Sequence, residues 1–185
     1  MDVFKPIIFG SRSKLLHDGT LPEDSTAHTH KWQVFVKGLC DEDISFFVRK
    51  VVFKLHDSFE NPSRTLEQPP YMLEETGWGE FDIVVKIYFQ DPSEKPLSLI
   101  LPLKLYPTED TWNDDEGWVV NEYYEEILFH EPSQRMLAIL TDTTKRPLPP
   151  YNADKNDIFS VKLPQKRKQP NDRFRIIINI IYTCM

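Results

Sequence analysis

His56, Asp57 and Ser58 stand side by side and bring an imidazole, a carboxylate and a hydroxyl, the three groups of a hydrolytic triad. Their adjacency argues against that chemistry, because triad members must converge from separate positions. No Gly-x-Ser-x-Gly elbow occurs either, so no enzyme is expected. His28 and His30 sit two apart and can face one way on a strand. Two histidines without cysteines or a third ligand make a weak zinc signal, and neither a metal nor a cofactor is expected. What remains is recognition. Trp78 lies between Gly77 and Gly79, where the backbone can bend sharply and approach a ligand. Phe59 and Phe81 add flat apolar surfaces, and His56 and Ser58 add polar groups at the rim. Such a slot suits a flat, neutral, amide-bearing side chain. The same rings serve equally well as a plug at one end of a β-sandwich, and residue types alone favour the plug.

The elements that hold these residues are short strands. Val51, Phe53 and Leu55 alternate with Val52 and Lys54, and Phe81, Ile83, Val85, Ile87 and Phe89 repeat the period of a half-buried strand. Turn chemistry fills the interval, with Asn61-Pro62 and Pro69-Pro70. The reading is strand, loop, loop, strand, with the aromatic motifs at the strand ends. Upstream, Phe4 to Phe9 reads as a short strand that Gly10 stops, with Pro6 marking an edge or a strand start. Ser11 to Ala27 reads as a loop, and Trp32 to Lys37 as a strand ending at Gly38. Asp41-Glu42-Asp43 caps a brief turn. Downstream, Leu97 to Leu105 alternates strongly, and Pro102 demands a bulge or an edge position. Thr108 to Gly117 reads as an exposed acidic loop, and Tyr123 to Phe129 as a further strand. Pro132 suits a helix first turn, so a short helix is expected over Pro132 to Leu140. The sum is an all-β protein, an immunoglobulin-like antiparallel β-sandwich with a short C-terminal helix.

No apolar run reaches the length that spans a bilayer, and the first residues carry no signal-peptide core. No membrane partner and a location inside the cell are expected. Cys40 and Cys184 are too few for a disulfide framework. The net charge of -7 disfavours non-specific DNA binding and suits a basic peptide.

Four segments together resemble the YEATS domain family: His28-Thr29-His30-Lys31-Trp32, Val51 to Phe59, Pro69-Pro70-Tyr71, and Thr76-Gly77-Trp78-Gly79-Glu80-Phe81. The resemblance covers about Lys5 to Leu140. The Gly-Trp-Gly-Glu-Phe form is similar to the branch found in histone-variant-exchange remodellers and histone acetyltransferase complexes. It implies a sandwich fold, a nuclear location and a reader of acetyl- or crotonyl-lysine on a histone tail, with subunits of such a complex as partners and no sequence-specific nucleic acid binding. Phe59 and Trp78 match the two rings that sandwich the acyl-lysine. Phe81 matches an aromatic near the far end, and His28 lies where the family often has His or Phe. The Trp78 backbone N–H, between Gly77 and Gly79, matches the donor to the acyl oxygen. Ser58 matches the partner of the amide N–H, supported by His56. Asp57, Glu74, Glu75 and Glu80 are expected at the rim, where they would attract a basic tail. The alternative is a scaffold subunit that bridges proteins without reading acyl-lysine.

Residues 1–140 are therefore expected to form the domain, residues 141–170 a proline-rich and basic linker, and residues 171–185 an apolar tail. That tail lacks the heptads usual in the resembling branch. Ile100-Leu101-Pro102-Leu103 also departs from the polar strand often found in relatives.

Overall fold

The computed structural model describes residues 1–16, 28–142, 144 and 165–166. Two sheets face one another, antiparallel throughout except where β10 joins β9. The first contains β1 (Val3–Leu15), β2 (His30–Gly38), β5 (Tyr71–Gly77), β8 (Trp112–Asn113), β9 (Val119–Phe129) and β10 (Gln165–Lys166). Its order is β10-β9-β1-β2-β5, with β8 also on β9. The second has the order β4 (Ser63–Leu66), β3 (Val48–Lys54), β6 (Asp82–Phe89), β7 (Leu97–Pro102). Every other residue points inward. Ile7, Phe9, Trp32, Val34 and Val36 from one sheet meet Val51, Phe53, Ile83, Val85 and Leu101 from the other in one buried core. The expected sandwich is the observed one.

Four local expectations are corrected. First, β1 does not stop at Gly10 but runs to Leu15, between β9 and β2. A Cβ at Gly10 would stand 2.5 Å from the Asn121 carbonyl oxygen, so this glycine permits close backbone approach within a strand. Pro6 is tolerated because pairing with β2 begins only at Ile7. Second, the interval between the aromatic motifs is not all loop. β4 pairs with β3, and β5 crosses to the other sheet and pairs with β2. Both are edge strands with mixed exposure, so neither shows clean alternation. Third, Thr108 to Gly117 contains the two-residue strand β8. Fourth, the helix α1 spans Gln134–Thr141, and Ser133 rather than Pro132 opens it. The Ser133 hydroxyl accepts from the Met136 N–H and itself donates to Asp91.

Pro102 does lie on an edge strand, β7. The Tyr71 hydroxyl donates to the Val48 carbonyl at 3.0 Å and so ties the start of β5 to the opposite sheet. Burial, seconded by Asp43, pushes this phenol up to about 12. Most of 141–170 and all of 171–185 lie outside the described residues, as does 17–27. The described pair Gln165 and Lys166 runs parallel to Tyr123 and Tyr124.

Candidate functional site

β3 leaves the second sheet at Lys54 and enters a tight turn. The Leu55 N–H donates to the Pro62 carbonyl at 2.8 Å, and the Phe59 N–H closes the turn on the His56 carbonyl at 3.0 Å. Inside it, His56 Nδ1 accepts from the Ser58 backbone N–H at 3.2 Å and lies 2.9 Å from the Ser58 hydroxyl. A ring nitrogen that accepts carries no proton, so the imidazole hydrogen belongs on Nε2. Ser58 then donates its own hydrogen to His56 and keeps its oxygen lone pairs free. Asp57 is exposed in the same turn.

Phe59 folds back onto the core. Its ring centroid is 5.8 Å from Trp32, near perpendicular, and 5.6 Å from Phe81. Phe81 is 6.0 Å from Trp32 and 6.1 Å from the His56 ring. These spacings are those of favourable aromatic pairs. Trp32 is fully buried and forms the floor, whereas Phe59 and Phe81 are half-buried. Trp32 closes the His28 to Trp32 motif, but nothing in the sequence places it under the site. Its inward alternation with Val34 and Val36 was readable, whereas the β2–β5 register that sets it beside Gly77 was not.

The β5–β6 connection supplies the other wall. Gly77 pairs with His30 in register, and its carbonyl accepts from the Thr29 N–H at 3.1 Å. A Cβ on Gly77 would stand 3.3 Å from Trp32 Nε1 and 3.8 Å from Phe59 Cζ, so glycine here leaves space between the two rings. Neither Gly77 nor Gly79 lies in the left-handed region, and a Cβ on Gly79 would meet nothing. The expected sharp bend therefore does not come from positive φ at either glycine. Trp78 follows at 70 % exposed, the most exposed large aromatic side chain among the described residues.

His28 reaches β5 through Thr76 Oγ1, 2.5 Å from its Nδ1, whereas His30 is buried and pairs with Thr29 Oγ1 at 2.8 Å. The two histidines are thus committed to different partners. Among the described residues no three His, Cys, Asp or Glu side chains cluster as metal ligands.

The acids expected at the rim are mostly engaged. Glu75 pairs with Arg64 at 2.9 Å, and Glu74 with Lys31 at 2.9 Å and Gln33 at 2.6 Å. The Lys31 and Gln33 bonds hold the Glu74 carboxyl below its usual range. Glu80 accepts from the Leu105 N–H at 2.8 Å and the Tyr106 N–H at 3.3 Å, with Lys104 at 3.8 Å. It fastens the β5–β6 connection to the segment that follows β7.

One end of the sandwich therefore carries His56, Ser58, Phe59, Gly77 and Phe81 in one cluster, with His28 joined through Thr76 and Trp78 standing outward beside Gly77. The family model described as "YEATS family" matches residues 27–107. The "Protein AF-9 homolog" of Saccharomyces cerevisiae is 38% identical over 181 residues, covering 90% of this chain and 80% of the relative. A crystal structure of "the Yaf9 YEATS domain bound to H3K27ac" superposes with a TM-score of 0.66 at 43% identity, covering 76% of this chain and 94% of the other. "The Yaf9 YEATS domain Recognizing H3K122suc Peptide" is similar with a TM-score of 0.64 and the same identity of 43%, covering 76% of this chain and 94% of that one.

Proposed function

The chain belongs to the YEATS family, and from that premise we propose that it is a non-catalytic reader of acylated lysine on a histone tail, working in the nucleus as a subunit of a chromatin-modifying complex. One observation carries the reading: a half-buried aromatic ring, Phe59, shares its turn with the His56–Ser58 hydrogen-bonded pair. An acyl amide presents two flat faces, one N–H and one carbonyl. Phe59 and Trp78 take the faces, a stacking gain of about 0.5–1.5 kcal/mol beyond burial. Ser58, its hydrogen donated to His56, accepts the amide N–H. The Trp78 backbone N–H donates to the acyl oxygen. The similar Yaf9 domain was crystallised with an acetylated and with a succinylated histone peptide, which supports the same ligand class here.

Unmodified lysine is disfavoured on magnitudes. Cation–π attraction offers roughly 0.5–2 kcal/mol, while desolvating the ammonium costs several kcal/mol. Glu75 and Glu80 are held by Arg64 and by the Leu105–Tyr106 backbone, and so are not free to neutralise it.

Calorimetric titration with unmodified, acetylated and crotonylated histone H3 tail peptides tests the proposal. Binding in the micromolar range, about -8 kcal/mol or somewhat weaker, is expected for the acylated peptides only. Trp78→Ala should abolish the heat while leaving the unfolding midpoint nearly unchanged, because the side chain is 70 % exposed. Equal binding of all three peptides would make the interaction electrostatic and the slot assignment wrong. Binding of none would replace the reader with the scaffold reading.

A further inference from the structure

Arg64 lies on β4 opposite Phe53, and Glu75 lies on β5 opposite Trp32. Phe53 and Trp32 are fully buried, so both charged residues stand on the inner faces of their strands. β4 and β5 are end strands of different sheets and touch along one side of the sandwich. The ion pair between them, 2.9 Å long, therefore crosses from one sheet to the other. The guanidinium does more than pair. Its Nε donates to the Asn61 carbonyl at 2.6 Å, and its Nη2, which faces Glu75, also donates to the Glu60 carbonyl at 2.8 Å. Glu60 and Asn61 directly follow Phe59, and Glu75 stands two positions before Gly77 on the same face of β5. One planar side chain thus holds the turn that carries Ser58 and Phe59 against the strand that leads into Trp78.

We infer that Arg64 is a positioning residue of the slot, its guanidinium bridging the Phe59 turn to β5 and so setting the separation between Phe59 and the Gly77–Trp78 wall. The inference rests on the acyl-lysine reading above. The carbonyl contacts are exposed and the ion pair partly so, which makes their contribution to global stability small. What they fix is distance. A ring about 0.5–1 Å too far from its partner atoms forfeits a quarter to a half of the dispersion attraction. A turn ordered in advance also spares the ligand the cost of ordering it.

Two variants test the bridge. Arg64→Lys keeps a positive charge beside Glu75 but lacks the planar fork that reaches two carbonyls. Glu75→Gln keeps the shape and removes the charge. An H3 tail peptide acetylated at one lysine is titrated calorimetrically into each and into the wild-type chain. Each variant is expected to bind about three- to tenfold more weakly, with an unfolding midpoint close to that of the wild type. The double variant should lose less than the product of the two single losses, because both act through one bridge. Amide hydrogen exchange in the free proteins gives the local readout. In both variants the Phe59 N–H, bonded to the His56 carbonyl, should exchange faster, while the core Val34 and Val85 amides keep their rates. Wild-type affinity in Arg64→Lys would overturn the inference and leave the reader proposal standing. Weaker binding accompanied by faster exchange at Val34 and Val85 would also overturn it, since Arg64 would then serve general stability. If the wild-type chain itself does not bind the acetylated peptide, both fall. Should Arg64→Lys fail to fold, Glu75→Gln decides alone.

Discussion

His30 opens β2 with its ring 2% exposed, edge-on to Tyr106 at a centroid distance of 5.0 Å. Burial lowers its affinity for a proton below the usual 6.5, and the Glu80 carboxylate opposes this only in part. In the unfolded chain the ring protonates near 6.5, whereas in the folded chain it resists. Its contribution is full above 6.5 and is lost as the pH falls through that value towards the lowered folded one. The unfolding midpoint should therefore drop between about pH 7.5 and 5, and His30→Gln should flatten that slope. A slope unchanged in His30→Gln would assign the acid sensitivity elsewhere. The same neighbourhood shows how far single residues were legible. His56, Ser58 and Phe59 could be read because turn residues and an aromatic lie within four positions of one another, and local spacing survives folding. The state of Glu75 and Glu80 could not. Their partners, Arg64 and the Leu105–Tyr106 backbone, lie 11 and about 25 positions away, reached only through pairing between elements.

At the scale of an element, β1 is sensitive to a single methyl group. It lies between β9 and β2, and Gly10 sits opposite Glu122 on one side and Phe35 on the other. Its missing Cβ would stand 2.5 Å from the Asn121 carbonyl oxygen and 3.1 Å from the Glu122 Cα, both backbone atoms that cannot swing aside. Gly10→Ala should therefore push β1 from β9 and lower the stability by about 1–3 kcal/mol, measured as a reduced urea midpoint. An unchanged midpoint would mean that the two strands shift apart without cost. Strands with clean alternation, β3, β6 and β7, were readable because each buries one face. β4 and β5 were not, since edge strands with half-exposed faces leave no period. The far half of β1 was hidden by Gly10, which sequence reads as a stop and the sheet uses as clearance.

At the scale of the whole molecule, charge decides how a ligand arrives and the slot decides how long it stays. The chain carries a net charge of -7, and a histone tail is basic. Long-range attraction accelerates encounter and is screened within a Debye length, which shrinks from about 30 Å at 0.01 M salt to about 8 Å at 0.15 M. The contacts proposed to hold the acyl group are stacking and neutral hydrogen bonds, in which no exposed ion pair takes part. Salt should therefore act on association and spare dissociation. For an acetylated H3 tail peptide, the association rate should fall several-fold between about 0.02 and 0.5 M salt, with the dissociation rate nearly constant, as read by surface plasmon resonance. The opposite pattern would place the holding energy in ion pairs. Glu75 and Glu80 would then have to exchange their internal partners for the peptide, and the aromatic slot would no longer account for binding.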